Sequence, residues 1–196
     1  DVTLIVVTKT YPLSDVEILY ELGVRNFGEN RDQEGSEKAP KLPSDCVWHF
    51  QGQIQGNKLK SIVEWANVIH SLDDLEHARK INKLVTKPFK VFVQVSLDGL
   101  EHRGGVSPSQ LSNFLDEIVE IPMIEPIGLM AVAPLNESPD SAFARLAEIK
   151  SGAEAQFPQI KFLSAGMSHD YQSAIKHGAT HIRIGSSILG ERPPLI

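Results

Sequence analysis

The feature that most narrows the fold of this 196-residue chain is an alternation. Short apolar runs, rich in Val, Ile and Phe, fall at 4–7, 26–28, 47–50, 68–71, 89–95, 126–130, 160–164 and 181–185. Between most of them, apolar residues at helical spacing predict helices over 13–22, 57–65, 73–84, 107–119, 138–157 and 170–177, with a last short helix opening at Ser186. Gly23 and Gly178 stand where helix C-caps belong, an acid opens the helix at Asp73, and Ser-Pro pairs open those at Ser107 and Ser138. Between the second and third strands only a long loop is expected. Strict strand–helix alternation implies parallel strands, because each chain return needs a crossover segment. Eight such strands close most economically into an α/β fold of (β/α)8 type, one barrel domain over residues 1–196. The competitor, an open doubly wound sheet, would place a glycine-rich dinucleotide fingerprint after the first strand, and none follows it. The chain starts at Asp1, directly on a strand, so a preceding helix is expected outside this sequence.

Composition excludes several function classes. With 19 basic and 25 acidic residues the net charge is −6, which disfavours nucleic acid as a partner. No apolar run approaches the ~20 residues that span a bilayer. The single cysteine, Cys46, forbids an internal disulfide and fits a reducing, cytoplasmic compartment. The histidines lack metal-ligand spacing. Gly166-Met167-Ser168-His169-Asp170 gathers Ser, His and Asp, but sequence neighbours on one turn cannot form a catalytic triad.

In a parallel barrel, chemistry collects at the carboxyl ends of the strands. The first strand, Leu4-Ile5-Val6-Val7, runs into Thr8 and Lys9, and Pro12 ends it. The second ends in Gly28-Glu29-Asn30. The seventh gives Ser164-Ala165-Gly166-Met167-Ser168, and the eighth gives Arg183, Gly185 and Ser186. These last two groups read as an anion cup: small residues let backbone approach a phosphate, hydroxyls donate, and Ser186 opens a helix. Ordinary tight turns with capping serines would look the same at either strand alone. A phosphate cup facing a lysine suits a phosphorylated aldehyde, which a lysine amine captures as a Schiff base. Pyridoxal phosphate (PLP) is the commonest such cofactor, and Arg183 is the candidate for its ring nitrogen, although an ion pair with a neighbouring strand is the plainer reading. Asn30 is a candidate to bond the phenolic oxygen or to position Lys9, and an ordinary turn or cap asparagine would read the same. His49 and His70 read as core histidines.

The motifs Val7-Thr8-Lys9-Thr10, Asn26-Phe27-Gly28-Glu29-Asn30, Trp48-His49-Phe50-Gln51-Gly52 with Gln55-Gly56-Asn57-Lys58, and His70-Ser71 occur in that order. Gly128-Leu129-Met130-Ala131, Ser164 to Asp170 and Ile182-Arg183-Ile184-Gly185-Ser186 follow. Together they make the chain resemble the pyridoxal phosphate homeostasis protein family, whose fold is similar to the alanine racemase barrel. The departures, at Gln53, Gln55 and Arg103-Gly104-Gly105, are mild. The resemblance implies PLP on Lys9, its phosphate held by Ser164, Gly166, Ser168, Gly185 and Ser186, and Arg183 at the ring nitrogen.

Two main functions compete. A binding protein would hold PLP and hand it to apo-enzymes, as a monomer. An amino-acid racemase needs a base on each face of the substrate carbon, and only Lys9 is an evident one; a second would come from an extra domain for which the stretch from Leu189 to Ile196 leaves no room. A phosphosugar enzyme with a Schiff-base lysine would carry the same phosphate cup.

Overall fold

The computed structural model describes residues 1–100 and 103–190; the stretch 191–196 that follows the last helix lies outside the described residues. Eight parallel strands form one closed barrel in sequence order: β1 (Thr3–Val7), β2 (Asn26–Glu29), β3 (Val47–Phe50), β4 (Val68–Leu72), β5 (Phe89–Gln94), β6 (Ile124–Met130), β7 (Phe162–Ser164) and β8 (His181–Ile184). Closure rests on β1, which pairs with β2 through Val6↔Phe27 and with β8 through Ile5↔Arg183. The connections carry α1 (Leu13–Glu21), α2 (Asp32–Lys38), α3 (Leu59–Trp65), α4 (Leu75–Leu84), α5 (Leu111–Ile118), α6 (Pro139–Gln156) and α7 (Tyr171–Lys176), with α8 (Ser186–Leu189) after the last strand.

The alternation of side chains along each strand divides the apolar residues into two cores. Val6, Phe27, Trp48, Ile69, Val91, Val93 and Leu129 belong to the large cluster between strands and helices. Phe92, flanked by Val91 and Val93, points the other way and joins Val68 and Met130 in a small separate cluster. The remaining inward places are polar, and they matter below.

One helix keeps its expected cap and another takes the neighbouring acid. Asp74, one residue past the expected acid, accepts from the Glu76 N–H at 2.7 Å, and Ser138 accepts from the Ser141 N–H at 3.2 Å. The helix expected from Ser107 starts at Leu111 instead. Ser107–Gln110 forms a turn closed by Gln110 N–H on the Ser107 carbonyl, because Val106 is pulled into a bridge with Val95.

The expected loop after β2 contains α2. It escapes a search for apolar periodicity because the only apolar-type residue it buries is a glycine, Gly35, packed against the Trp65 ring so closely that any Cβ there would overlap it. Asp32 reinforces that packing by accepting from Trp65 Nε1 at 3.0 Å and Ser61 Oγ at 2.7 Å. Among the described residues, no helix is long and apolar enough to cross a membrane.

Candidate functional site

At the carboxyl ends of the strands lies a cavity of about 260 Å³. Lys9, Asn30, Ser168, Arg183, Gly185 and Ser186 all line it, so six of the eight expected residues converge from β1, β2, β7 and β8. Val7, Met130 and Val132 supply apolar wall, and Tyr11, Gln51, Met167 and His169 complete it.

Lys9 is half-buried and follows directly on β1. Its two neighbours are fixed by a charged group of side chains. Thr8 is fully buried; its hydroxyl donates to Glu29 Oε1 at 2.6 Å and its carbonyl accepts from Lys38 Nζ at 2.8 Å. Lys38 also donates to Glu29 Oε1 at 2.8 Å and lies 3.4 Å from Glu34 Oε2. Glu34 in turn accepts from the Thr10 N–H at 2.6 Å. Thr10 has φ +69°, and it is the only non-glycine residue in the left-handed region among the described residues. A β-branched residue is strained there, so the surrounding contacts impose the turn. Burial pushes the Glu29 carboxyl above its usual range, against the opposing effect of bonds from Lys38 and Thr8. Its second oxygen, Oε2, is buried without a partner. Tyr11 closes the turn by donating from its hydroxyl to the Gly190 carbonyl at 2.7 Å.

The opposite wall is built on neutral groups. Arg183 is 5% exposed, donating from Nη1 to Ser164 Oγ at 2.7 Å and from Nη2 to the Ala131 carbonyl at 3.0 Å. No carboxylate hydrogen-bonds it among the described residues, and the Asp170 charge acts on it without contact. Burial lowers its pKa to about 10, which still leaves it cationic at neutral pH. Beside it the Ser168 hydroxyl sits 3.4 Å from both the Gly185 and Ser187 N–H groups, and Ser187 Oγ donates to the Ser168 carbonyl at 3.3 Å. These contacts tie the β7 and β8 loops together, and Ser168, Gly185 and Ser186 line the cavity there. Asp170 fixes the loop by accepting from the Met167 N–H at 2.6 Å, which is its part in the Ser-His-Asp string.

Two of the expected residues, Ser164 and Gly166, lie off the cavity wall. Ser164 is fully buried and absent from the cavity wall; its hydroxyl oxygen accepts from Arg183 and lies 2.8 Å from His70 Nδ1. It accepts from Arg183 and lies behind the wall. Gly166 is also absent from the wall. It has φ +94°, and a Cβ there would stand 2.7 Å from Ala174 Cβ, so its small size serves the turn against α7. Its carbonyl accepts from the Arg183 N–H at 2.9 Å.

Sequence reasoning missed Lys38 and Glu34. The i,i+4 acid–base spacing Glu34–Lys38 was the available signal. It also missed the contact role of Gln51, whose Nε2 is buried without a hydrogen-bond partner. His49 and His70 are buried and hydrogen-bonded, His49 Nδ1 lying 2.8 Å from His70 Nε2. Burial depresses the pKa of His49 to about 3 and that of His70 well below the ordinary value.

Comparison with known proteins places this geometry. The sequence pattern described as "Alanine racemase, N-terminal domain" matches residues 1–193. A Corynebacterium glutamicum protein named "Pyridoxal phosphate homeostasis protein" is 41% identical over 202 residues, covering 98% of this chain and 91% of the relative. A protein of the same name from Aquifex aeolicus is 36% identical over 94% of this chain and 85% of its own length. Among solved structures, PipY of Synechococcus elongatus, determined with PLP bound, superposes with a TM-score of 0.89 at 33% identity, covering 96% of this chain and 92% of that one. Alanine racemase from Corynebacterium glutamicum shares the fold, with a TM-score of 0.77 at 13% identity over 100% of this chain and 59% of the enzyme. A closed eight-strand parallel barrel with a lysine after its first strand and an arginine in its last, matched along nearly its whole length, belongs to the pyridoxal phosphate homeostasis protein family.

Proposed function

We propose that this chain binds pyridoxal 5'-phosphate reversibly, as a Schiff base on Lys9, and serves PLP homeostasis by holding the cofactor without turning it over. The observation that carries this reading is the arrangement of one cavity. Lys9 lines the same cavity as Ser168, Gly185 and Ser186, and the Arg183 cation, which has no hydrogen-bonded carboxylate, joins them beside apolar walls. A flat anion with a phosphate at one end and an aldehyde at the other fits that donor set. The donors favour phosphate oxygens, and Val7, Met130 and Val132 offer apolar surface to a ring. PLP would supply the aldehyde. The Lys9 amine adds to its carbon, one water leaves, and addition of water reverses the bond. Arg183, which keeps its proton at neutral pH, would donate to the ring nitrogen and leave that nitrogen unprotonated, so the ring withdraws electrons weakly. Asn30 would meet the phenolic oxygen.

A racemase needs a second base opposite Lys9. Tyr11, the one tyrosine in the wall, has its hydroxyl committed to the Gly190 carbonyl. The relatives named above are called homeostasis proteins. The barrel acts as one unit, in the cytoplasm, as a monomer, and passes PLP to apo-enzymes.

Purified protein mixed with PLP should turn yellow, and borohydride should fix the cofactor to the Lys9 peptide. Lys9→Ala should stay folded by circular dichroism and lose the colour. A colourless wild type, or label at another lysine, overturns the reading. D-alanine formed from L-alanine at a steady rate per holo-protein would favour the racemase.

A further inference from the structure

The polar residues inside the barrel form one connected line. Arg183 on β8 contacts Ser164 on β7, Ser164 contacts His70 on β4, His70 contacts His49 on β3, and His49 Nε2 lies 3.1 Å from Asn26 Oδ1 on β2. His70 is fully buried, with its ring stacked on Phe92 at 4.4 Å. His181, the other histidine of this layer, presents its edge to His70 and Phe92 and has its own partner in Thr180 Oγ1 at 2.9 Å. No group of three or more His, Cys, Asp or Glu among the described residues is placed to hold a metal ion, so the line asks for an account in protons.

Only one proton arrangement satisfies every atom. An arginine can only donate, so Ser164 Oγ accepts from Arg183. Both histidines are neutral, because burial opposes their charged forms, so each ring has one N–H and one bare nitrogen. With Asn26 Oδ1 as acceptor, His49 carries its hydrogen on Nε2 and accepts at Nδ1. His70 then donates from Nε2 and accepts at Nδ1 from the Ser164 hydroxyl. The reverse order would make Ser164 accept from Arg183 and His70 together, leaving its own proton without an acceptor in a fully buried place, which is costly.

We infer that Ser164, His70, His49 and Asn26 are positioning residues for Arg183, forming a one-way donor chain, Arg183 to Ser164 to His70 to His49 to Asn26, that holds the guanidinium in place at the cavity with neutral partners only. The chain turns the Ser164 lone pair toward Arg183 and keeps it there, since turning the hydroxyl would break the bond to His70. A carboxylate in the same place would compensate the arginine's charge. This chain orients the cation without a hydrogen-bonded counter-ion, and Asp170 acts on it without contact. The inference rests on the reading that Arg183 faces the PLP ring.

Two measurements test it. In the apo-protein, ¹⁵N-edited imidazole spectra should show His49 and His70 both neutral with hydrogen on Nε2. Hydrogen on Nδ1 in either wild-type ring overturns the chain, whether or not the protein binds PLP. In the PLP-loaded protein, Ser164→Ala and His70→Phe should each weaken PLP binding about tenfold and shift the visible absorption band. The double variant should weaken it about tenfold as well, because both break the same chain, and His70→Asn, which keeps an acceptor toward Ser164, should recover most of the wild-type band. Additive losses near a hundredfold, or a wild-type band in both single variants, overturn the positioning role. A wild type that shows the expected tautomers but binds no PLP sinks the cofactor reading and leaves the chain standing.

Discussion

The two walls of the cavity are supported in opposite ways. Under Lys9 the support is ionic: Glu29, Lys38 and Glu34 enclose Thr8 and Thr10 at the boundary between barrel and helix layer. Under Arg183 it is neutral: a serine, two histidines and an asparagine inside the barrel. The difference follows from position. Lys38 reaches Glu29 from α2, outside the strands, so this buried pair lies between the barrel and the helix layer, with Glu34 also within reach of the ammonium. The barrel interior has no such boundary, and an ion there needs its whole hydration replaced. The ionic wall can therefore impose strain, as at Thr10, while the neutral wall presents a cation without a hydrogen-bonded counter-ion.

The largest test of this contrast is Lys38→Met. It strands a buried carboxylate and should cost about 3–5 kcal/mol in urea unfolding. Adding Glu29→Gln should recover a substantial part, and a double variant no better than Lys38→Met would mean that Lys38 acts by packing alone.

Acid separates the walls next. His49, His70 and His181 have folded pKa values below the ordinary 6.5, at about 3 for His49 and about 4 for His181. Below about pH 6.5 the unfolded chain therefore binds protons that the barrel refuses. Stability is fully present above that pH and falls as pH drops toward about 4. Glu29 has the opposite sign, since its raised pKa contributes stability at low pH that is lost as pH rises through the folded value. Thermal melts from pH 7 to 4 should show a net fall, and His70→Phe should flatten it; an unchanged slope would remove His70 from the account.

Ser164→Ala leaves a buried guanidinium N–H without its acceptor and should cost about 1–3 kcal/mol, less than the ionic break. The smallest effect is Thr10→Gly. Relief of left-handed strain, less the entropy of glycine, should stabilise the apo-protein by about 0.5–1 kcal/mol while loosening the Lys9 turn. A destabilised Thr10→Gly would show that the threonine side chain contributes more than its backbone costs.

Much of this was legible before any coordinates. Val6, Phe27, Ile69 and Val91 mark strands by local composition alone, and Lys9 follows from where the first run stops. The α2 helix was hidden because it packs through Gly35 against Trp65, and a glycine face leaves no apolar stripe. Ser164 and Gly166 were placed in the phosphate cup because they share a loop with Ser168, yet only Ser168 lines the cavity. Adjacent residues on an extended segment point to opposite sides, and a turn at φ +94° resets the direction again.

The sequence by itself determined the eight parallel strands, their closure into a barrel and the placement of a lysine at the end of the first. These depend on local periodicity and on the short reach of each crossover, which neighbouring residues encode. Only the tertiary structure decided that Arg183 rests on Ser164, that Ser164 meets His70 94 residues away, and that Lys38 reaches Thr8 across 30. Alternation says which residues face inward. Which of them meet across the lumen depends on strand stagger and tilt summed around the closed barrel, a property of no single segment.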